Sequence, residues 1–170
     1  METKRLILRE MTMDDLPALC RIFCDAETMA FYPAPFDEEK VRRWICRNEE
    51  RYRTFGFGLW AVVLKETGEV IGDCGITMQN IGGSILPEVG YHIRKDHWRK
   101  GYGKEAAMAC RNWAFINTPF LMLYSYMGKE NAASSATARA MGMEWVKEYR
   151  DDEGIHHVYA ITRKRWETIK

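Results

Sequence analysis

Two residues that can move protons stand close together near the middle of the chain. Glu88 and His92 lie four residues apart in a segment where Val89, Tyr91 and Ile93 alternate with more polar residues. Such alternation predicts a β-strand with two distinct faces, so Glu88 and His92 would share one face. Either side chain could act as a general base toward a reacting group on that face.

A glycine-rich, basic segment follows this predicted strand. Apolar residues then recur at helical spacing from about Gly103 onward, so the segment leads into a helix N-terminus. Free backbone N–H groups and the helix dipole favour an anion there, and glycine lets the backbone approach it closely. The residues predicted to form this phosphate site are Arg99, Lys100, Gly101, Tyr102, Gly103 and Lys104.

The kind of phosphate compound is narrowed by the spacing of the glycines. The flanking positions lack the glycine and the Ser or Thr that a nucleotide P-loop requires. Gly101, Gly103 and Ala106 do satisfy the bare dinucleotide pattern GxGxxA. However, a basic loop separates the strand from the first glycine, and no acidic residue ends the next predicted strand, residues 120–126. Dinucleotide binding remains an alternative function at this point.

The same segment resembles the pyrophosphate loop of the GNAT superfamily of acyl-CoA-dependent N-acyltransferases. The pattern of that loop is Gln/Arg-x-x-Gly-x-Gly/Ala, and Trp98 stands where it has Gln or Arg. Glu88 to Tyr91, followed by Trp98 and Gly101, is similar to the branch of ribosomal-protein N-terminal acetyltransferases. The resemblance covers nearly the whole chain. It implies a single GNAT domain over residues 1–170, with acetyl-CoA and an amine acceptor as substrates.

The resemblance also implies a binding path for CoA. CoA is expected to enter a gap between the fourth and fifth strands, which the GNAT fold splays apart at one end. Its pantetheine chain would bond to the open strand edge formed by Tyr91, His92, Ile93 and Arg94. Asn131 is expected to contact pantetheine as well.

The resemblance to the GNAT superfamily also implies catalytic roles. Glu88 is the expected base for the acceptor amine, with His92 as its rival. The segment Asn131-x-x-Ser134 is similar to the Asn-x-x-Ser segment of the same branch, which implies that Ser134 lies near the sulfur of CoA. Many members of the superfamily have a tyrosine where this chain has Ala138, so Ser134 or a water molecule would assist the leaving thiolate.

Composition limits the other classes of function. The chain has 170 residues, 46% of them hydrophobic, and a net charge of +1, which favours one domain with no general attraction to nucleic acid or membrane. No signal peptide is evident, and the five cysteines are expected to be buried, reduced thiols of a cytoplasmic protein. Cys20 and Cys24 lie one helical turn apart but lack further ligands, so no metal site is expected. A homodimer is compatible with the sequence.

The order of elements predicts an α/β fold, a mixed, mostly antiparallel sheet of about seven strands with four helices distributed over both faces. Two loops are expected to frame the acceptor: an aromatic, proline-containing loop at Phe31–Phe36 and an acidic hairpin tip at Arg150–Gly154. The expected reaction is direct acetyl transfer to a protein N-terminus or a small-molecule amine within a ternary complex. A non-catalytic acyl-CoA-binding sensor is the alternative from another class.

Overall fold

The computed structural model describes residues 1–170 and contains a seven-stranded sheet with helices on both faces. The strands are β1 (Leu6–Arg9), β2 (Leu59–Leu64), β3 (Val70–Ile81), β4 (Ser84–Ile93), β5 (Met122–Gly128), β6 (Glu144–Asp151) and β7 (Gly154–Thr162). The helices are α1 (Leu16–Phe23), α2 (Glu38–Phe55), α3 (Tyr102–Asn117), α4 (Ala132–Ala140) and α5 (Arg163–Ile169). The strand order is β1-β2-β3-β4-β5-β7-β6, and only β4 and β5 are parallel. The predicted fold class is confirmed, and α5 adds a helix to the expected four.

Helix α2 begins and ends at capping residues, and α1 packs beside it. The Asp37 carboxylate accepts the Lys40 N–H at 2.7 Å at the start of α2, which ends at Gly56 in the left-handed conformation. Val41 and Ile45 belong to the buried stripe of α2, and Phe23 is the last residue in the buried stripe of α1. These two helices therefore present an apolar surface to the sheet.

Strand β4 has two faces that meet different helices. On one face, the His92 ring lies 5.0 Å from the ring of Phe23 and 5.9 Å from that of Trp44, measured between centroids. On the other face, a Cβ added to Gly103 at the start of α3 would lie only 3.3 Å from the Tyr91 ring. Successive side chains of a strand point to opposite faces, so β4 separates α1 and α2 from α3.

The sheet opens between β4 and β5. Strand β4 pairs with β3 along its whole length, from Ser84 to Ile93. Toward β5, in contrast, pairing occurs at one position, Glu88 opposite Tyr124. The carboxyl ends of the two parallel strands therefore diverge, which confirms the predicted splay. The loops that follow these ends lead into α3 and α4.

The five cysteines do not share one environment. Cys74 and Cys110 are buried, Cys20 is half-buried, and Cys24 and Cys46 are exposed. The prediction of uniformly buried thiols is thus wrong for Cys24 and Cys46, because these residues fall on the outer sides of their helical segments.

The C-terminal helix covers part of α3. The Trp166 ring stacks on Phe115 at 5.2 Å between centroids, and the Trp166 indole N–H donates to Asn112 Oδ1 at 2.8 Å.

Across the whole chain, none of the helices combines the length and the apolar character that a membrane crossing requires.

Candidate active site

The N-terminus of α3 presents unpaired backbone donors. Gly101 occupies the N-cap position with φ of +81°, in the left-handed region that glycine adopts without steric cost. The Glu105 N–H donates to the Gly101 carbonyl at 3.0 Å. The N–H groups of Tyr102, Gly103 and Lys104 precede that bond and have no carbonyl within the helix to pair with. Such donors are able to bind an anion.

Positive side chains surround these donors. Arg99, Lys100 and Lys104 are all exposed, and Arg99 itself has a φ of +59°. This left-handed conformation is uncommon for a residue with a Cβ, and it marks the sharp turn that leads into α3. The six residues of the predicted phosphate site are therefore brought together at one helix end.

Arg5 holds the turn against the N-terminal segment. Its guanidinium donates to the Lys100 carbonyl at 2.9 Å and to Glu105 Oε2 at 2.7 Å, and it lies 4.4 Å from the centre of the Tyr102 ring. The Glu105 carboxylate also accepts the Thr3 hydroxyl at 2.6 Å. The acidic residue in the first turn of α3 is thus paired internally. Sequence reasoning missed Arg5, which lies 95 residues away from Lys100.

The predicted strand edge contributes to the gap mainly through its backbone. The Arg94 guanidinium is bound to Asp96 and Glu69, at 2.6 and 2.7 Å, and so does not reach the anion site. The His92 side chain points to the α1–α2 side, whereas Tyr91 and Ile93 lie under Gly103. The backbone N–H and C=O groups of β4 that follow Glu88 have no partner strand on the side of β5.

Ser134 and Tyr91 meet on the α3–α4 side of the gap. The side-chain oxygen of Asn131 accepts the Ser134 N–H at 3.1 Å and thereby caps α4. The Tyr91 hydroxyl donates to Ser134 Oγ at 3.4 Å. Burial raises the pKa of Tyr91, against the lowering effect of the Ser134 hydroxyl. Ala138 is fully buried. A phenol that sequence reasoning had assigned only to CoA binding therefore contacts the predicted catalytic serine.

Glu88 lies where β4 and β5 begin to diverge, on the α1–α2 face. Its side chain is buried, and its carboxylate accepts the Thr77 hydroxyl at 3.2 Å. Burial raises the pKa of Glu88 to about 7, although the Thr77 hydroxyl and the nearby His92 and Arg51 oppose the shift. A carboxylate with such a pKa is well matched to proton abstraction at neutral pH.

His92 belongs to a chain of hydrogen bonds on the same face. Its Nδ1 lies 2.7 Å from Asp73 Oδ1, and its Nε2 lies 2.5 Å from the Tyr32 hydroxyl. The Trp44 indole N–H donates to Asp73 Oδ2 at 2.9 Å. Sequence reasoning missed Asp73, and it placed Tyr32 in the predicted acceptor loop Phe31–Phe36 without foreseeing its contact with His92. The signal that could have revealed Asp73 is a carboxylate inside an otherwise apolar strand, since buried carboxylates require partners.

The second predicted acceptor loop also reaches this face. Asp151 at the hairpin tip pairs with the buried His156 at 2.8 Å, and His156 stacks on Tyr149 at 4.9 Å between ring centroids. Tyr126 lies 6.4 Å from Tyr149 between ring centroids, and burial together with the Glu88 carboxylate raises the pKa of Tyr126. Aromatic and acidic groups thus extend from Glu88 toward the tip. Across the chain, no group of three or more His, Cys, Asp or Glu side chains is placed to hold a metal ion.

Most of the chain matches a known family. Residues 5–144 match the family described as the acetyltransferase (GNAT) domain. The chain belongs to the GNAT acetyltransferase family and is accordingly an acyltransferase. Membership in this family, rather than in a dinucleotide-binding one, accounts for the glycine spacing at the start of α3.

Relatives extend over most of the chain. YkkB of Bacillus subtilis, a protein described as uncharacterised, is 34% identical over 149 residues, which are 87% of each chain. An acetyltransferase from Agrobacterium tumefaciens has a solved structure that is 31% identical, with a TM-score of 0.80 over 95% of this chain and 92% of its own. The ribosomal L7/L12 α-N-protein acetyltransferase RimL, solved with coenzyme A, has a TM-score of 0.78 at 16% identity over 94% and 95% of the two chains. RimL is therefore similar in fold.

Proposed function

We propose that the protein transfers the acetyl group of acetyl-CoA directly to a primary amine in a ternary complex. One observation carries this proposal: a buried carboxylate, Glu88, with a pKa of about 7 stands where the gap between β4 and β5 begins, and an anion site lies at the start of α3 on the other face of β4. A non-catalytic sensor of acyl-CoA would need the anion site but not a base tuned to neutral pH.

The residues present fit a CoA molecule. The free N–H groups of Tyr102, Gly103 and Lys104, together with the side chains of Arg99 and Lys100, would hold its diphosphate. The unpaired edge of β4 would bond to the pantetheine chain, and the amide nitrogen of Asn131 is available to the same chain because its oxygen caps α4. Bound acetyl-CoA supplies an activated thioester carbonyl. RimL, solved with coenzyme A, lends support through its similar fold.

The proposed proton acceptor is Glu88. An amine binds as an ammonium ion, and only its neutral form attacks a carbonyl. Glu88 would take the ammonium proton, directly or through one water molecule. At pH 7 a substantial share of Glu88 is ionised and ready to accept a proton, because its pKa is about 7.

The leaving thiolate would be stabilised on the opposite face. Serine is far too weak an acid to protonate the sulfur by itself. Its hydroxyl can donate a hydrogen bond, and a donor that also accepts a hydrogen bond becomes stronger through polarisation. Tyr91, which donates to Ser134 Oγ, would have this effect. The pair Tyr91 and Ser134 would thus replace the tyrosine that many family members carry at the position of Ala138.

The proposed acceptor is the α-amino group of a peptide or protein. An α-amine has a pKa more than two units below that of lysine, so a single carboxylate deprotonates it more readily. The Tyr32 side chain and the Asp151–His156 pair lie on the Glu88 face, where they would flank an extended chain. RimL, whose name specifies α-N-protein acetylation, has a similar fold.

Two measurements test this function. Thiol release from acetyl-CoA, followed with a chromogenic thiol reagent across a set of amines, should exceed the rate without an amine. A short peptide with a free N-terminus and one internal lysine should carry the acetyl group mainly on its α-amine, as located by fragmentation mass spectrometry. Predominant lysine labelling would contradict the acceptor assignment, and labelling of small amines alone would point to a small-molecule substrate. Stabilisation by acetyl-CoA without any thiol release would instead identify a sensor.

A further inference from the structure

Asp73 is a fully buried carboxylate that the proposed reaction does not use. It lies within β3, and each of its oxygens accepts one N–H group: Oδ1 from His92 Nδ1 at 2.7 Å and Oδ2 from Trp44 Nε1 at 2.9 Å. Because a carboxylate can only accept in such a pair, Nδ1 of His92 carries the proton. The other ring nitrogen, Nε2, is then left as a bare acceptor.

Tyr32 completes the chain at the surface. Its hydroxyl lies 2.5 Å from His92 Nε2, and with Nε2 bare the hydroxyl must be the donor. The lone pairs of the Tyr32 oxygen remain free to accept a proton or a hydrogen bond. Tyr32 belongs to the loop between α1 and α2 and is 44% exposed, so its ring forms part of the outer wall of the site.

The hydroxyl of Tyr32 lies on the same face of β4 as Glu88, because it bonds to His92 and residues 88 and 92 of a strand share a face. Burial raises the pKa of Tyr32, and the Glu88 and Asp73 carboxylates raise it further. The groups around His92 that carry or exchange charge are Asp73 on β3, Glu88 on its own strand, Arg51 on α2 and Tyr32 on the loop. An amine bound on this face of β4 would therefore have both Tyr32 and Glu88 on its side of the sheet.

The overall reaction removes two protons from the acceptor nitrogen. Glu88 takes the first from the ammonium, as proposed above. The second must leave after the C–N bond has formed, when the nitrogen of the tetrahedral adduct carries a positive charge. Glu88 is then already protonated, so a different acceptor is needed on the same face.

We propose that Tyr32, His92 and Asp73 form a proton relay that accepts this second proton, an inference that rests on the proposed function. The adduct nitrogen gives its proton to the Tyr32 oxygen while the Tyr32 proton moves to His92 Nε2. Asp73 stabilises the resulting imidazolium. The carbonyl then re-forms as the C–S bond breaks, and the departing thiolate takes one proton from solvent. Glu88 and His92 return their two protons to solvent, so one proton is released in each turnover. Tyr32 is the catalytic residue of the relay, and Asp73 is a positioning residue.

The decisive variant is Tyr32→Phe, which removes one hydroxyl and keeps the ring. Its kcat should fall by about tenfold to a hundredfold with little change in the KM for acetyl-CoA. In mixtures of H2O and D2O, the wild-type rate should follow a curved proton inventory, because two protons move together in the relay. Tyr32→Phe should give a straight line. A full kcat in Tyr32→Phe, or the same curvature in both proteins, would overturn the relay.

An observation without substrate separates this proposal from the proposed function. Nitrogen-15 NMR of the histidine rings in the free wild-type protein should show His92 as the Nδ1–H tautomer, and Asp73→Asn should perturb that signal. The matched control is His157→Gln, which removes an imidazole paired with the Glu148 carboxylate at 3.3 Å outside the site. It should keep the His92 signal and the curved inventory. An Nε2–H tautomer in an active enzyme would overturn the relay, whereas failure of thiol release with every amine would count against the proposed function.

Discussion

The two faces of β4 contribute different kinds of chemical groups to the candidate site. On the α3 side the anion site consists of backbone N–H groups, glycines and exposed cations within one short segment, residues 99–104. On the α1–α2 side the proposed chemistry depends on buried side chains from separate parts of the chain: Glu88 and His92 on β4, Asp73 on β3 and Tyr32 on a loop.

This difference has an energetic consequence. Backbone donors at a helix end exist wherever a helix starts, and they cost the fold little when water can solvate them. A carboxylate buried away from water disfavours its own ionised form and so destabilises the folded state at neutral pH. Burial of Glu88 therefore destabilises the folded protein while it raises the pKa of the proposed base, whereas the donors at the start of α3 carry no such cost. The predictions below test this contrast, from the largest effect to the smallest.

Glu88→Gln should slow turnover by about a hundredfold or more, because the variant cannot accept a proton. The affinity for acetyl-CoA should stay unchanged, since Glu88 lies on the face away from α3. Steady-state thiol release and calorimetric titration with acetyl-CoA would measure the two quantities. If Glu88→Gln keeps its rate while His92→Ala loses it, the base is His92.

The same variant should be more stable than the wild type at pH 8, by at most about 3 kcal/mol. The folded pKa of Glu88, about 7, lies above its ordinary value of 4.5, so its contribution to stability is fully present below pH 4.5 and is lost as the pH rises through 7. Glu88→Gln avoids this loss. Urea unfolding of both proteins at pH 4.5 and pH 8 would test it, and an equal stability difference at both values would contradict the buried charge.

Gly103→Val should remove most of the stabilisation that acetyl-CoA gives. At about 100 times its Kd the ligand should add about 2.7 kcal/mol to the wild type. A Cβ at position 103 already lies 3.3 Å from the Tyr91 ring, so the valine branches must displace Tyr91 or enter the anion site. Ala109→Val, on the same helix, serves as the control. Wild-type affinity in Gly103→Val, measured by calorimetry, would refute the loop assignment.

The pH profile of kcat/KM should report Glu88 directly. Below pH 7 the carboxyl group is protonated and cannot act as a base, so the rate should fall about tenfold for each pH unit. Above pH 7 this contribution should level off. The residual activity of Glu88→Gln should lack this fall in kcat/KM below pH 7. If the fall persists in the variant, another group is responsible for it.

Ser134→Ala should have the smallest effect, about tenfold or less in kcat, which is the worth of one neutral hydrogen bond. Tyr91→Phe should cost a similar factor, because Tyr91 acts through Ser134. The double variant should then be little slower than either single one. Fully additive losses would show that the two hydroxyl groups work independently.

Local patterns in the sequence predicted the parts of this protein that depend on neighbours along the chain. Alternating residues identified β4, helical spacing placed the start of α3 within one residue, and the glycines marked the turn between them. The mixed sheet and its splay followed from the order of elements and from the family resemblance. These features are readable because strand period, helix capping and glycine geometry are properties of consecutive residues.

Contacts between distant segments were beyond such patterns. Arg5 reaches Lys100, Asp73 reaches His92, and Tyr32 reaches His92 across 60 residues. The exposed positions of Cys24 and Cys46 likewise depend on which side of each helical segment meets the sheet.

The amino-acid sequence by itself determined the strands, the helices and the glycine turn before α3, since each rests on short-range stereochemistry, and the family resemblance added Glu88 as the carboxylate at the gap. Only the tertiary structure decided that Glu88 is buried deeply enough for a pKa of about 7, and that Asp73 and Tyr32 stand on either side of His92. The physical reason is that desolvation and side-chain pairing depend on which surfaces the folded sheet and helices bring into contact.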